Sequence, residues 1–279
     1  MKDFWKRFAR NKGAVIGLVI LIAVIALSAA APFLFPKSPW AMVQRPFIPP
    51  FTMDKFLLGT DPMGRDLASG LAHGASVSLL VGLVSTVVSL LIGIPIGALA
   101  GYFGGWVDDV LMRFTEFFQS VPSFALAVVL VAIFQPSITS IVIAIAIVSW
   151  PPVARLLRGE VMSLKSREFV EAAVLSGQTH ATIIWRQILP NTLSPIIVLA
   201  SMMVAAAILI ESSLSFLGLG DRNVMSWGYI IGAGRTVIRQ AWWVSFFPGA
   251  AILLTVLALN LIGEGLNDAL NPRLSRRGK

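Results

Sequence analysis

The sequence contains no cysteine, and charged residues make up only 13% of its 279 residues. Without cysteine the chain can form no disulfide bond, zinc–thiolate site or thiol nucleophile. Soluble domains contain about 25% charged residues, so the low share of charge excludes an ordinary soluble domain. Hydrophobic residues reach 56% and the mean hydropathy is +0.81, which is typical of a protein that crosses a membrane several times.

Nucleotide-binding and catalytic patterns are also absent from the sequence. No GxxxxGK[ST] phosphate loop occurs, and LSGQ at residues 175–178 lacks one glycine of the signature of ABC ATPases. The two histidines, His73 and His180, fall on opposite sides of the membrane in the topology predicted from the apolar runs, so they cannot share a metal ion. The sequence therefore predicts no catalytic residue, no metal site and no ATP bound by this chain.

Long apolar runs predict the membrane spans. The first extends from Gly13 to Phe35, about 22 residues, which as a helix would cover roughly 33 Å and cross a bilayer. The segment 36–75 is rich in proline and predicts an extended linker outside the membrane. Within this linker, Asp66–His73 is predicted to form a short amphipathic helix at the interface.

The second span is predicted from Ser76 to Gly101, and a stripe of small residues runs along it. These residues recur at every fourth position and share one helix face: Ser85, Ser89, Gly93, Gly97 and Gly101. Packing rather than hydrophobicity drives helix association in lipid, so the stripe predicts close approach of a neighbouring helix. Pro95 should bend this helix, either as a fixed bend or as a moving part.

The third and fourth spans contain features that predict local structure. The third passes Arg113 and Glu116, which lie three positions apart and are expected to pair, and it ends near Phe134. The fourth covers about 138–157, and the proline pair at 151–152 is expected to interrupt it.

The fifth and sixth spans complete a predicted total of six. They cover about 193–210 and a run that ends near Gly263, with Trp242 and Trp243 as expected interface anchors of the sixth. Four ionisable residues fall near the ends of predicted spans: Arg113, Glu116, Glu211 and Glu264. No span interior therefore offers the relay of carboxylates or histidines that ion-coupled transporters usually contain, and energy for transport would have to come from a partner.

A polar segment, Glu168–Pro195, separates the fourth span from the fifth. Glu168–Ser176 contains good helix formers, and Gly177 is a natural left-handed stop. Thr179 is expected to cap a second short helix, which Pro190 ends. The segment is therefore predicted to be a helix–turn–helix held in water at the membrane surface.

Basic residues set the predicted orientation. If both termini face the cytoplasm, most Lys and Arg residues lie there too, including those of the C-terminal tail (residues 273–279). The opposite side then holds only Lys37, Arg45, Lys55, Arg65, Arg222, Arg235 and Arg239. This arrangement follows the positive-inside tendency, and the inverted one contradicts it. The net charge of +8 is therefore assigned to membrane topology rather than to nucleic-acid binding.

The polar segment resembles the EAA loop of bacterial ABC importer permeases. The family pattern is EAAxxxG, followed after nine residues by IxLP. This chain matches it at Glu171, Ala172, Ala173, Gly177, Leu189 and Pro190. Gln187 stands in place of the isoleucine. Further stretches resemble the dipeptide and oligopeptide permeases of the C-type: FWKRFARNKGAVIGLVIL, LLGTDPMGRD, AGYFGGWVDD, SFLGLG and WWVSFFPGAAILLTVLALNLIGEGLNDALNPRL. They follow in the same order over nearly the whole chain.

The resemblance implies the type I permease fold of ABC importers, an all-α polytopic membrane protein with six transmembrane helices. Residues 1–75 would form a basic cytoplasmic tail, the first helix and a periplasmic linker, and residues 76–279 a five-helix core. The coupling (EAA) loop, about residues 164–191, would dock on an ATPase.

The implied assembly sits in the bacterial inner membrane. It contains a second permease subunit, expected to be a B-type paralogue in a heterodimer. It also contains two ABC ATPase subunits that bind ATP and Mg, and a periplasmic or lipid-anchored substrate-binding protein.

Several alternatives stay open at the level of sequence. An ATP-independent secondary transporter or channel, or a membrane scaffold without transport activity, would show similar spans. Related permeases carry nickel, glutathione, opines or sugars rather than di- and oligopeptides. The Glu171 carboxylate either contacts the ATPase or fastens the loop internally.

Overall fold

The computed structural model describes residues 2–270, and the predicted cytoplasmic tail at 273–279 lies outside the described residues. Within this range the chain is helical, and its β-type pairings are two isolated bridges in the linker, Met42–Arg65 and Thr60–Asp66. The helices are α1 (Lys2–Arg10), α2 (Lys12–Leu34), α3 (Leu67–Phe103), α4 (Gly105–Ser120), α5 (Ser123–Phe134), α6 (Ile138–Lys165), α7 (Glu168–Leu175), α8 (His180–Thr182), α9 (Leu193–Leu214), α10 (Trp227–Gly234) and α11 (Trp243–Leu270). A π-helical turn (Ile183–Ile188) and a 3₁₀ turn (Leu189–Thr192) join α8 to α9, and a second π-helical turn (Ser215–Leu219) follows α9.

The helices form a membrane bundle in which α3, α6, α9 and α11 pack together and α2 lies along α11. Five stretches are long and apolar enough to cross a membrane: Lys12–Leu34, Leu67–Phe103, Ile138–Lys165, His180–Leu219 and Trp243–Leu270. The bent pair of α4 and α5 makes a sixth if it crosses as one span. The prediction of an all-α polytopic membrane protein is confirmed.

α3 is a single helix of 37 residues that begins earlier than predicted. Asp66 caps its N-terminus by accepting a hydrogen bond from the Ala68 amide at 3.0 Å, and the helix continues without a break through His73. The prediction of a separate interfacial helix over these residues is therefore wrong. Gly74 does not break the helix because another segment packs tightly on it, and a Cβ at Gly74 would lie 3.3 Å from the Trp227 ring.

The linker between α2 and α3 folds over the end of the bundle that lies opposite residues 164–191, and this end is here called the far face. The Thr60 hydroxyl accepts a hydrogen bond from the Ile48 amide at 2.9 Å, and the Trp243 indole donates to the Thr60 carbonyl at 3.1 Å. Trp243 is only 5% exposed, so its prediction as an interface anchor is wrong, whereas Trp242 keeps 51% of its surface exposed. A buried indole N–H needs an acceptor, and the linker supplies one.

The predicted third span consists of two helices, α4 and α5, which meet at an angle of 82°. The break falls at Val121, whose backbone is extended (φ −93°, ψ 133°), and at Pro122. Proline lacks an amide donor and favours an extended residue before it, so a bend at this point is expected physically. The predicted Arg113–Glu116 pair does not form, because the ion pairs within 4 Å among residues 2–270 are Asp61–Arg65 and Asp108–Arg158.

α6 runs from Ile138 to Lys165 through both of its prolines, so the predicted interruption at Pro151 and Pro152 is wrong. A proline inside a helix costs about 3 kcal/mol. Here that cost is offset by burial, since Pro151 and its neighbour Trp150 are both enclosed by other helices.

α3 and α6 approach each other along the glycines of the small-residue stripe. A Cβ at Gly93 would lie 2.8 Å from one carbonyl oxygen of α6, and a Cβ at Gly101 would lie 2.6 Å from another. A Cβ at Gly97 would collide with a third carbonyl oxygen of the same helix. The carbonyls belong to residues that are themselves spaced by four: Trp150, Ala154 and Arg158. The two backbones are therefore in direct contact, which no larger residue at these positions would permit.

The helical path continues past Pro190 into α9, so the prediction that this proline ends the helix is wrong. A π-helical turn and a 3₁₀ turn accommodate the missing amide. The Asn191 side-chain amide also donates to the Gln187 carbonyl at 2.6 Å. These substitutes satisfy backbone groups that a regular helix would leave without a partner.

Candidate functional site

The coupling loop (residues 164–191) is anchored by an apolar cluster at the ends of α3 and α6. Val170 and Ala173 of α7 are buried in this cluster together with Tyr102 of α3 and Leu157 of α6. The chain after α7 contributes further buried side chains: Ile183, Ile184, Ile188 and Leu189. Because α7 and the π-helical turn both bury apolar surface against the bundle, a force on the loop reaches α3 and α6 directly.

α7 ends at a left-handed glycine. Gly177 has a φ of 73°, its amide donates to the Val174 carbonyl at 3.0 Å, and the Gln178 amide donates to the Ala173 carbonyl at 3.2 Å. This pair of bonds is a Schellman motif, the helix stop that the sequence predicts. Thr179 then caps α8, since its side chain accepts a hydrogen bond from the Thr182 amide.

One face of the coupling loop points away from the rest of the chain. Glu171 and Ala172 are exposed, and Leu175 is 88% exposed at the tip of α7. The Glu171 carboxylate makes no ion pair within 4 Å and no hydrogen bond to any residue between 2 and 270. Leu175 and its neighbour Val174, which is 52% exposed, form apolar surface beside this carboxylate that is available to a partner protein.

The second half of the family pattern is divided between the interior and the surface. Leu189 is buried in the apolar cluster, whereas Pro190 is exposed. Gln187, which replaces the isoleucine of the pattern, donates to the Gln178 side chain at 3.2 Å. This bond joins the two limbs of the loop and gives the substituted residue a structural role.

Two polar contacts of the loop region were not predicted. The Tyr102 hydroxyl and His180 Nδ1 lie 2.9 Å apart and tie the end of α3 to the start of α8. Asp108 of α4 and Arg158 of α6 form a bidentate ion pair with distances of 2.5 and 2.6 Å. Both pairs join residues at least 50 positions apart, so no local sequence signal reveals them.

Glu211 lies near the end of its span, as predicted, because α9 ends at Leu214. It is nevertheless only 2% exposed, and this burial was not predicted. Its carboxylate accepts hydrogen bonds from the hydroxyls of Ser215 and Ser226 at 2.9 and 2.7 Å. The surrounding serines in SSLS (residues 212–215) are the sequence signal that could have shown its burial.

Two of the cavities in the described part of the chain lie between helices of the bundle. One, of about 470 Å³, lies toward the far face and has a mainly apolar lining that includes Phe124, Ser212, Ser213, Phe216 and Ile252. The other, of about 690 Å³, lies beside the coupling loop and is lined largely by polar residues of α6, the 3₁₀ turn, α9 and α11, among them Glu160, Ser163, Asn191, Ser194 and Asn267. Polar space therefore lies at the coupling-loop end of the bundle. Among residues 2–270 no three His, Cys, Asp or Glu residues come close enough to hold a metal ion.

Comparison with protein families and with solved structures gives consistent matches. Residues 93–276 match the family of binding-protein-dependent transport system inner membrane components, and residues 1–56 match the N-terminal transmembrane domain of oligopeptide transport permease C. A solved structure titled as inward-facing conformations of the MetNI methionine ABC transporter aligns with a TM-score of 0.60 and 18% identity, over 72% of this chain and 96% of that one. At this identity the match shows a shared fold alone.

Curated relatives cover nearly the whole chain. The di/tripeptide transport system permease protein DppC of Pseudomonas aeruginosa is 43% identical, over 98% of this chain and 92% of the relative. The dipeptide transport system permease protein DppC of Escherichia coli is 42% identical over 99% and 94%. The oligopeptide transport system permease protein OppC of Haemophilus influenzae is 40% identical over 98% and 88%. The chain therefore belongs to the family of binding-protein-dependent transport system inner membrane components, and it is similar to the permeases of ABC importers.

Proposed function

We propose that this permease subunit forms half of the translocation pathway of an ATP-driven importer for di- and oligopeptides. The names of its relatives support the peptide substrate. The observation that carries the coupling role is the exposed face of α7, which rests on the apolar cluster at the ends of α3 and α6. This face presents Leu175 and the Glu171 carboxylate, which has no ion-pair partner among residues 2–270.

The coupling loop is suited to transmit movement because its two faces differ. Ala173 and Leu189 are buried and hold the loop to the bundle, whereas Glu171 and Ala172 face outward. Ala172 has a small side chain that permits close approach of a partner, and Gly177 allows the sharp turn. A partner that docks on this face and then moves would tilt α3 and α6 together, which would open the pathway on one side and then on the other.

The proposed assembly contains three further kinds of component beside this chain. A second permease subunit, expected to be a B-type paralogue, completes the pathway, and two ABC ATPase subunits bind ATP and Mg and supply the energy. A periplasmic or lipid-anchored binding protein delivers the substrate. The complex sits in the bacterial inner membrane with both termini of this chain in the cytoplasm, since that orientation places most basic residues inside.

Reconstitution of the complex in proteoliposomes tests the proposal. With the complete complex in the vesicle membrane, ATP inside and the binding protein with labelled dipeptide outside, the dipeptide should accumulate inside. This chain alone should transport nothing. Nickel and glutathione serve as competing substrates in the same assay. Uptake by the isolated chain without ATP would refute the importer function, and preference for nickel or glutathione would refute the peptide assignment only.

A further inference from the structure

A buried carboxylate at the far face has no role in the coupling mechanism. Glu211 Oε1 accepts hydrogen bonds from the Ser215 hydroxyl at 2.9 Å and from the Ser226 hydroxyl at 2.7 Å. The Ser212 hydroxyl lies 3.4 Å from Oε2. Because the carboxylate is enclosed and its donors belong to this chain, it is not placed to bind substrate; it joins parts of the protein to each other.

The parts that it joins are four separate elements. Glu211 belongs to α9, Ser215 begins the second π-helical turn, and Ser226 is the N-cap residue of α10. The Trp227 amide next to this cap donates to the Ser78 hydroxyl of α3 at 3.3 Å. The Ser226 hydroxyl thus caps α10 by accepting from the Tyr229 amide at 3.1 Å while it donates to Glu211.

α10 is a short helix that packs closely on its neighbours but has irregular chain at both ends. It has eight residues and non-helical segments on both sides, and it rests on the π-helical turn through glycines. A Cβ at Gly228 would lie 2.6 Å from Ser212 Cα, and one at Gly232 would lie 2.9 Å from the Ser215 carbonyl oxygen. Gly218 within the turn has a φ of 86°, a conformation that favours glycine. π-Helical turns occur often at functional positions of helices.

The free energy of the contact favours reversible opening. No Lys, Arg or His lies within 4 Å of Glu211 in the part of the chain that the structure describes. Hydrogen bonds to a charged group are stronger than neutral ones, but removal of a carboxylate from water is costly, and the two effects oppose each other. Water that enters would donate to the carboxylate in place of the serines, so opening costs about as much as one hydrogen bond to a charged group rather than the exposure of an unpaired charge.

We propose that Glu211, Ser215 and Ser226, here called the Glu211 latch, hold α10 against α3 and α9 while the far face is closed, and that the latch opens when substrate enters. The cavity of about 470 Å³ lies against the same turn, since Ser212, Ser213 and Phe216 line it. Release of α10 would therefore widen the pathway at its entry. Glu211 acts here as a positioning residue, and the proposal rests on the importer function given above.

Thiol labelling tests the latch, because the chain contains no cysteine and a single introduced cysteine is its only thiol. Ile230 lies on the buried side of α10 at 5% exposure, whereas Ala233 is exposed on the same helix. Ile230→Cys and Ala233→Cys are labelled in the full complex with a membrane-impermeant maleimide, with the cysteine-free chain as background. In the resting complex Ile230→Cys should react slowly and Ala233→Cys fast, and trapping with ATP and vanadate should accelerate only the former.

Ser226→Gly opens the latch with little other change, since glycine is itself a good helix-capping residue. It should raise the resting labelling rate of Ile230→Cys about tenfold, the shift expected when one hydrogen bond to a charged group is lost from a two-state equilibrium. Glu211→Gln should raise it less, because the amide oxygen still accepts hydrogen bonds. The matched control is Ser137→Gly, which removes the serine cap of α6 and leaves Glu211 untouched.

The outcomes separate the latch from the importer function. The latch would be overturned if Ile230→Cys were labelled at the same resting rate with and without Ser226→Gly, in a complex that still binds its partners. An increase of the same size with Ser137→Gly would overturn it too, since the effect would then be general loosening. The resting comparison needs no transport, so it judges the latch even if the complex imports no peptide.

Discussion

Substitution of Gly177 should uncouple the loop from the ATPase without unfolding the protein. Gly177 has a φ of 73°, and a Cβ built on it would meet no atom within 4 Å. The cost of a side chain is therefore backbone strain alone, about 1–2 kcal/mol for most residues and less for asparagine. Against a typical total stability of about 5–15 kcal/mol, that strain leaves the bundle folded.

The strain falls on a turn that orients α7, so the loop geometry should change before the fold does. We expect the ratio of peptide imported to ATP hydrolysed to decrease in the order wild type, Gly177→Asn, Gly177→Ala and Gly177→Val. Valine comes last because its branched Cβ is the least compatible with a positive φ. The amount of each variant inserted in the membrane should stay close to that of the wild type.

Gly159→Ala is the matched control. Gly159 lies in the helical part of α6 near the coupling loop, and a Cβ there also meets nothing within 4 Å, but its φ is not positive. Alanine should therefore be neutral or stabilise the helix by about 0.5–1 kcal/mol. Equal coupling ratios in the Gly177 series, or loss of coupling in Gly159→Ala, would refute the argument from the left-handed turn.

Three further predictions concern the loop and the bundle. Gly97→Ala should lower the stability of the purified complex by about 1–3 kcal/mol, because the added Cβ collides with α6. Gly249→Ala is the control and should be tolerated, because its Cβ meets open space. Equal melting temperatures of the two variants would contradict the prediction. Asp108→Asn should lower the free energy of unfolding by about 1 kcal/mol, since Arg158 is partly exposed and its ion pair is screened by solvent. High salt should reduce the difference in melting temperature between this variant and the wild type. Glu171→Lys should leave insertion intact but weaken co-purification of the ATPase subunits; full uptake by this variant would argue against contact through Glu171.

Local chemistry is sufficient to predict the turn of the coupling loop. A run of helix formers, a glycine and then a threonine specify a stop and a new cap within a few residues, and the structure forms both at Gly177 and Thr179. The glycine spacing of the second span likewise predicts close approach of another helix, although it does not say that the neighbour is α6.

The prolines show where local rules fail. Pro122 breaks the third span, whereas Pro151 and Pro190 lie within continuous helical stretches. All three remove one backbone donor, so the difference depends on the surroundings: Pro151 is enclosed by packing, and Pro190 follows a π-helical turn whose neighbouring Asn191 supplies a substitute bond. That information belongs to the tertiary structure.

The burial of Glu211 was not predicted for a related reason. Its position in the chain is typical of a span end, because polar and glycine residues follow it, and the sequence alone does not show what covers it there. The shortest hydrogen bond to its carboxylate comes from Ser226, 15 positions away at the start of another helix. A carboxylate can be buried only where donors converge on it, and their convergence depends on the packing of α10.

The length of α3 has a mechanical consequence. Its 37 residues form a rod of about 55 Å, longer than the hydrocarbon thickness of roughly 30 Å that it must cross. One end touches the coupling loop through Tyr102 and His180, and Ser78 toward the other end touches α10. Tyr102 and Ser78 lie about 36 Å apart along the helix, so a tilt of about 5° around Tyr102 would displace Ser78 by roughly 3 Å. α3 can therefore work as a lever, in which a small rotation imposed at the coupling loop becomes a displacement of roughly 3 Å beside α10.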